Sequence, residues 1–300
     1  MKQADSNVKG KKLKWASLLI SLYFSFSVVG YASYYATDRI GLNVGVVGIL
    51  FLVAKVVDAI TNFIAATIVD NCHSKKGKGR PFAICIIPMW ISIVLMFSIP
   101  ASWGTTAKYI LLFLFYTLIN AVFVTILQCI EAIYLKHAFL KEDDRTVMQT
   151  VAAGLGSASM ILAGVVLPVL IGIFDEKPHG WTIMTALIAV PMALIGSIRY
   201  FTIPEVDVDM TSSKTDHITI VDTIKAFFTN KYTVISMLIC MCIQISNMIA
   251  SAPMTYYFKY IIGDISLASV ANMMALPAML VLLFMTKLAD KFGRLNMSKR

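Results

Sequence analysis

Charged residues are scarce in this chain, and their scarcity argues against a water-soluble protein. Asp, Glu, Lys and Arg make up only 14% of the 300 residues, whereas hydrophobic residues make up 58%. A soluble domain typically has about 25% charged residues. The sequence therefore predicts an integral membrane protein.

Cysteine and histidine are also few, and neither forms the pattern of a metal site. The chain has 5 cysteines and 4 histidines. Most of the cysteines fall inside apolar runs, so no disulfide framework is expected. The histidines are scattered, without the paired spacing of zinc ligands. Because no arrangement of nucleophile, base and metal is evident either, we expect neither a metal, nor a cofactor, nor an enzyme.

Long apolar runs dominate the rest of the chain. Crossing a bilayer takes about 20 apolar residues per helix. An interrupted run from Gly41 to Val69 contains only Lys55 and Asp58 as charged residues. Seven further runs lack charged residues, near 15–36, 81–107, 109–130, 146–174, 178–198, 232–258 and 265–286. The sequence thus predicts eight membrane-spanning helices.

The basic residues lie mostly on one side of this predicted topology. With the N-terminus inside, the cytoplasmic segments hold 21 of the 26 Lys and Arg residues, the outer segments hold 4, and Lys55 lies within a span. This asymmetry follows the positive-inside rule. We therefore predict a multi-pass protein of the plasma membrane with both termini in the cytoplasm. The net charge of +9 is attributed to topology, and no nucleic-acid partner is expected.

Paired tyrosines mark an internal repeat. Tyr34–Tyr35 and Gly41 recur as Tyr256–Tyr257 and Gly263, each 222 residues later. Many transporters are built from such repeats, with the substrate site between the halves. Chance similarity between two amphiphilic hairpins is the alternative.

The repeat divides the chain into three predicted parts. Residues 1–202 form a six-helix N-terminal bundle, and residues 203–231 form a cytoplasmic linker with an amphipathic helix on the membrane surface. Residues 232–300 hold helices 7 and 8 of a partial C-terminal bundle. Four helices of the second half are then missing, so the chain is expected to be truncated.

Several segments resemble a known family. They are residues 35–42 (YATDRIGL), 57–60 (VDAI), 76–82 (KGKGRPF), and 246–247 (SN) with 256–264 (YYFKYIIGD). In combination they resemble the glycoside-pentoside-hexuronide:cation symporters of the major facilitator superfamily. The resemblance implies an all-α integral membrane protein with the twelve-helix major facilitator fold, of which this chain holds the complete N-terminal half and the first two C-terminal helices. It also implies sugar uptake driven by sodium ions or protons.

Asp58 is the residue that we expect to couple transport to a cation. A charge inside a membrane helix costs about 2.5 to 3.5 kcal/mol, so it persists where it faces the bundle interior or a watery cavity. In the family this position and the one four residues later are both acidic and hold the cation, whereas here the second is Asn62. Thr61 and Asn62 would supply neutral oxygens. Alternatively, Asp58 only neutralises Lys55, three residues earlier on the same helix face. The two interpretations overlap, because a Lys55–Asp58 pair that breaks on cation or proton binding would make Lys55 part of the coupling site.

The sugar-binding pathway is expected to be neutral. The family places charged residues on helices 1, 4 and 5, but the matching positions here fall on Leu22, on Leu127 or Gln128, and near Thr150. The pathway residues that we predict are Gln128, Gln244, Asn247, Asn120 and Tyr31. Neutral polar residues also hold helices together, and we expect the tyrosines at the outer ends of helices 1 and 7 to form an interfacial belt rather than a sugar-stacking surface.

The basic turn after the second span resembles the gating loop of major facilitators. We expect Asp70, Lys76 and Arg80 to brace the cytoplasmic helix ends and to bias the protein between its inward- and outward-open states. A plain positive-inside loop is the alternative.

Together these features predict a secondary active transporter in the lipid bilayer. Its partners would be a small-molecule solute, expected to be a sugar or glycoside, and a co-transported monovalent cation, Na⁺ or H⁺. One alternative is a transporter of a less polar, lipid-like or drug-like solute, which the missing charged clamp and the 17 methionines favour. Another is a membrane sensor that keeps the fold without transporting.

Overall fold

The computed structural model describes residues 8–70, 72, 74, 77–205, 229 and 231–273, and these form helices and turns without a strand. The main helices are α1 (Val8–Gly30), α2 (Val44–Asp70), α3 (Ile86–Met96), α4 (Thr105–Ala138), α5 (Glu142–Phe174), α6 (Gly180–Thr202), α7 (Lys231–Tyr256) and α8 (Ala268–Met273). Shorter helical stretches are Ala32–Tyr34, Tyr35–Arg39, Arg80–Ala83, Tyr257–Ile262 and Ile265–Leu267.

Five of the described helical segments are long and apolar enough to cross a membrane. They are Gly10–Arg39, Val44–Val69, Thr105–Ala138, Glu142–Phe174 and Gly180–Thr202. The third predicted span corresponds to a shorter apolar stretch, Arg80–Met96. The seventh corresponds to α7, and the eighth is described only as far as Met273. The all-helical, multi-pass architecture that the sequence predicts is confirmed.

The structure corrects two of the predicted span boundaries. The run predicted to end at residue 130 continues as α4 to Ala138, because the charge of Glu131 is paired inside the protein and does not interrupt the packing. The run predicted from residue 81 to 107 is helical only to Met96, and α4 begins at Thr105 after a turn.

Helix α1 lies at the centre of the packing and runs along α5 and α6. Ser17, Ser21 and Ser25 follow one another at four-residue spacing and are all buried, so they share one face of α1. The Ser21 hydroxyl donates a hydrogen bond to the Met192 carbonyl at 2.7 Å and accepts one from the Trp90 indole at 2.8 Å. Small polar residues allow close helix approach and hydrogen bonding across helices, and here they join α1 to α3 and α6.

The two copies of the predicted repeat share the same backbone turn. A π-helical stretch begins at the second tyrosine of each pair, over Tyr35–Arg39 and Tyr257–Ile262. Gly41 and Gly263 follow with φ of 69° and 84°, a left-handed conformation that side chains other than glycine rarely adopt. This agreement in backbone conformation supports a repeat rather than a chance similarity of sequence.

The described part of the second copy packs against the first six helices through α8. The Ser269 hydroxyl donates to the Val165 carbonyl, and the Asn272 amide donates to the Gly164 carbonyl, both at 2.7 Å. These bonds attach α8 to α5. The amphipathic helix predicted within residues 203–231 lies largely outside the described residues.

Gly196 of α6 provides a test of this packing. A Cβ added there would lie 2.6 Å from Ile86 Cγ1 and 2.9 Å from Ser21 Cβ, so we expect Gly196→Ala to lower stability by about 1 to 3 kcal/mol through overpacking. Gly154 of α5 has nothing within 4 Å of the added atom, so Gly154→Ala is the matched control and should be neutral or slightly stabilising. Thermal unfolding in detergent measures both, and equal unfolding temperatures would contradict the close contact.

Candidate functional site

Asp58 lies on α2 where that helix packs against α4. Its Oδ1 accepts a hydrogen bond from the Thr125 hydroxyl at 2.9 Å, and its Oδ2 lies 3.4 Å from Lys55 Nζ. The Asp58 side chain is 22% exposed and that of Lys55 is 47% exposed. The structure thus contains the Lys55–Asp58 contact, and it adds Thr125, which sequence reasoning missed because it is a neutral residue on a different helix.

Thr61 and Asn62 lie within one turn of Asp58. The Thr61 hydroxyl and the Asn62 side-chain amide both donate to the Asp58 backbone carbonyl, at 3.0 and 2.7 Å. These bonds use the donor groups of both side chains and leave their oxygens as acceptors. A carboxylate and two neutral side-chain oxygens therefore lie within about one turn of α2, and oxygens of these kinds are ligands of small hard cations.

A cavity of about 340 Å³ opens between α1, α4 and α5. It is lined by Leu19, Leu22, Tyr23, Gln128, Glu131, Ala132, Leu135 and Gln149. The four α4 residues follow the spacing i, i+3, i+4, i+7 and so occupy one helix face. The cavity includes the predicted pathway residue Gln128 and also Leu22, one of the positions at which the family carries a charge.

The other predicted pathway residues have different surroundings. The Asn120 amide donates to the Tyr116 carbonyl at 2.9 Å, within a π-helical stretch of α4 over Leu118–Val124. Tyr31 is half-buried at the end of α1. Gln244 and Asn247 lie on α7, but their side chains lie outside the described residues.

Arg199 of α6 is fully buried and forms an ion pair with Glu131. Its Nη1 contacts Glu131 Oε2, its Nη2 lies 3.3 Å from Glu131 Oε1, and its Nε donates to the Trp15 carbonyl at 2.7 Å. The guanidinium also lies 3.9 Å from the centre of the Trp15 ring, a cation–π distance. Arg199 is one of the 21 basic residues that the sequence analysis assigned to the cytoplasmic segments, because nothing in a single sequence pairs it with Glu131.

Glu205 organises the basic turn between α2 and α3. Its carboxylate accepts hydrogen bonds from the backbone N–H groups of Lys78, Gly79 and Arg80, at 2.7, 2.8 and 2.6 Å. An added Cβ at Gly77 would lie 2.0 Å from Glu205 Oε2, so this position needs glycine. Successive N–H groups that converge on a carboxylate form an anion-binding nest.

The predicted gating residue Arg80 contacts the end of α6. Its Nε donates to the Tyr200 carbonyl at 2.8 Å, and its guanidinium lies 5.5 Å from the Tyr200 ring centre. Lys76 and the side chain of Asp70 lie outside the described residues. Among the residues that the structure describes, Glu205, which the sequence analysis placed in the linker, is the carboxylate that contacts the basic turn.

A second charge cluster lies at the opposite end of the bundle, around Asp175. The Asp175 carboxylate accepts hydrogen bonds from Tyr34 at 2.9 Å and from Trp181 at 2.8 Å. It also lies 2.5 Å from Arg39 Nε and 3.5 Å from Lys259 Nζ. Since Lys259 follows α7, this carboxylate joins the first six helices to the second copy of the repeat.

The same cluster involves Asp38 and the tyrosines that were expected to form a membrane belt. Asp38 accepts hydrogen bonds from Tyr260 and, at 2.7 Å, from Thr37. The belt interpretation is wrong for Tyr34 and Tyr35, which are only 2% and 4% exposed. Both hydroxyls are used inside the protein, since Tyr35 donates to a backbone carbonyl at 2.8 Å.

Comparison with known proteins gives a consistent result. Residues 16–298 match the profile described as MFS/sugar transport protein. The chain is 28% identical over 278 residues to the isoprimeverose transporter of Lactiplantibacillus pentosus. This match covers 91% of this chain and 57% of that transporter. It is 28% identical over 250 residues to the putative glycoside/cation symporter YagG of Escherichia coli K12, a match that covers 79% of this chain and 51% of that protein. It is 25% identical over 266 residues to the glucuronide carrier protein homolog of the same strain, a match that covers 82% of this chain and 53% of that protein. The chain spans about half the length of these curated relatives.

The Asp175 cluster predicts a stability effect. Asp175→Asn removes the charge that Arg39 and Lys259 share, and we expect it to lower stability by about 1 to 3 kcal/mol. Glu176→Gln is the matched control, because Glu176 is the next residue and is exposed. The measurement is thermal unfolding in detergent, and equal unfolding temperatures for the two variants would show that the cluster contributes nothing.

The Glu205 nest predicts a local effect on the basic turn. Glu205→Gln removes the charge and one acceptor oxygen, so the amides of Lys78, Gly79 and Arg80 should exchange hydrogen faster, on the order of tenfold. Hydrogen exchange followed by mass spectrometry measures this change. The exposed Glu142 provides the control variant Glu142→Gln, and unchanged exchange at the turn in Glu205→Gln would contradict the nest.

Proposed function

Because the chain belongs to the MFS/sugar transport protein family, we propose that the protein carrying this sequence is a secondary active transporter. Its solute is a sugar or glycoside, and its driving cation is Na⁺ or H⁺. Its similarity to the isoprimeverose transporter and to the putative glycoside/cation symporter supports this proposal. We place the protein in the plasma membrane, with the basic turn and both termini on the cytoplasmic side.

One contact carries the proposal of coupling, namely the hydrogen bond from Thr125 to Asp58. Thr125 lies three residues before Gln128 on α4, so the same helix that contacts the carboxylate also lines the cavity. A cation at Asp58 would compete with Lys55 and Thr125 for the carboxylate oxygens. Cation binding would thereby alter the position of α4, and solute affinity would change with it.

The positions of the cavity and of the Asp175 cluster support alternating access. The cavity is lined by the part of α4 after Thr125 and by the start of α5, which lie toward the basic turn. The Asp175 cluster joins α7 to the first six helices at the opposite end. This arrangement fits a transporter that is closed outside and open toward the cytoplasm, and the outward-open state would require the Lys259 contacts to break.

A single coupling charge is enough for substantial accumulation. One charge moving down about 100 mV releases roughly 2.3 kcal/mol. Since about 1.36 kcal/mol corresponds to a tenfold change, this energy supports roughly 50-fold accumulation of a neutral solute. The lone carboxylate at Asp58 therefore meets the energetic requirement without the second acidic residue of the family pattern.

The test is uptake of labelled solutes by vesicles that contain the whole protein carrying this sequence. The panel holds neutral glycosides, sugar acids and an apolar drug-like solute, with imposed sodium or proton gradients. We expect Asp58→Asn to abolish gradient-driven accumulation while exchange of the solute across the membrane continues, because the variant keeps the pathway but loses the charge.

The control for Asp58→Asn is Asp143→Asn, since Asp143 is exposed in the first turn of α5. This control should accumulate solute as the wild type does. Accumulation by Asp58→Asn at the wild-type level would refute coupling at Asp58. Uptake of the apolar solute alone would refute the glycoside assignment.

A further inference from the structure

The ion pair of Glu131 and Arg199 has one end in the cavity and one end in the protein. The Arg199 side chain is 0% exposed, whereas that of Glu131 is 12% exposed. Of the two, only Glu131 lines the cavity. A solute that enters from the basic-turn side therefore meets the carboxylate and not the guanidinium.

Arg199 leaves part of the hydrogen-bonding capacity of Glu131 unused. An ionised carboxylate has two oxygens with about four acceptor positions. The Arg199 fork takes one position on each oxygen. Arg199 is itself fixed by the Trp15 carbonyl and the Trp15 ring, so the carboxylate has a defined orientation and can still accept further hydrogen bonds.

The groups next to Glu131 suit a hydroxylated solute. Gln128 lies one turn earlier on the same face of α4, and Gln149 lines the cavity from α5. Each amide both donates and accepts hydrogen bonds, whereas a carboxylate only accepts them. A group that binds at Glu131 must therefore donate a hydrogen bond to it, and a carboxylate or sulfonate at this position would be repelled.

We propose that Glu131 accepts a hydrogen bond from a hydroxyl group of the transported glycoside, with Arg199 as the positioning residue that orients the carboxylate. This inference rests on the proposed function, since it takes a glycoside as the solute. It assigns a specificity role to a position that the family resemblance leaves unassigned. It also fixes which edge of the sugar faces α4, namely a neutral edge that bears a hydroxyl.

The experiment compares initial uptake rates of a neutral glycoside and of its monodeoxy analogues, in vesicles that contain the whole protein. We expect Glu131→Gln to raise KM by about 10- to 100-fold with little change in Vmax, because a hydrogen bond to a charged group is lost. One monodeoxy analogue, which lacks the donating hydroxyl, should show the same KM in the wild type and in Glu131→Gln. Glu142→Gln, at an exposed position, should leave every KM unchanged.

Two further variants separate binding from folding. Glu131→Asp keeps the charge but shortens the side chain, so its KM should lie between those of the wild type and Glu131→Gln. Arg199→Lys keeps the positive charge but loses the forked guanidinium, so its KM for the parent glycoside should rise. Its KM for the monodeoxy analogue that lacks the donating hydroxyl should equal that of the wild type. Unfolding temperatures are measured for each variant, and Glu131→Asp decides the question if either of the other two fails to fold.

The outcomes distinguish this inference from the function on which it rests. If the wild type takes up the glycoside and Glu131→Gln or Glu131→Asp has an unchanged KM, Glu131 only supports packing and the inference fails alone. A uniform rise in KM for all monodeoxy analogues would overturn it as well. If the wild type takes up no glycoside, the proposed function fails and this inference fails with it.

Discussion

The burial of Arg199 among apolar helices is the constraint on which the bundle depends. A guanidinium cannot lose its charge in a protein, and removing one partner of a buried ion pair costs about 3 to 5 kcal/mol. Arg199 on α6 therefore requires Glu131 on α4 and the Trp15 carbonyl on α1 at fixed positions. One side chain thus determines how three helices meet, and the cavity lies beside this junction.

A carboxylate at each end of the bundle also has fixed partners, but the partners differ in kind. At one end Glu205 is satisfied by backbone N–H groups of the basic turn, so the loop conformation itself supplies the hydrogen bonds that stabilise the negative charge. At the other end Asp175 is satisfied by side chains, including Lys259 from beyond α7. A side-chain ion pair can separate without rebuilding a loop. The Asp175 cluster therefore joins helices of the two repeats through contacts that can separate without rebuilding a loop.

Sequence reasoning predicted the helices well because length and hydrophobicity determine them locally. It placed α2, α5, α6 and α7 to within a few residues, and it found the repeat that the left-handed Gly41 and Gly263 support. It failed where one residue depends on a distant one. Arg199 and Glu131 are 68 residues apart in the chain. Tyr34 lies inside the protein, where its hydroxyl donates a hydrogen bond to Asp175, 141 residues later. Of the candidate site, Asp58 could be identified from its charge within an apolar run, and Gln128 from its polarity and the family resemblance. Thr125, Glu205 and Arg199 required the tertiary structure.

The π-helical stretch of α4, Leu118–Val124, has a consequence for comparing this protein with its relatives. Each residue of an α-helix turns the chain by about 100°, so one residue gained or lost in this stretch rotates everything after it by more than a quarter turn. Two relatives of equal helix length can then present different residues to the cavity. A gap-free alignment through α4 would miss this difference, and it is here that the matching position was ambiguous between Leu127 and Gln128. Substrate preference in this family is therefore better compared by which residues share the cavity face than by alignment columns.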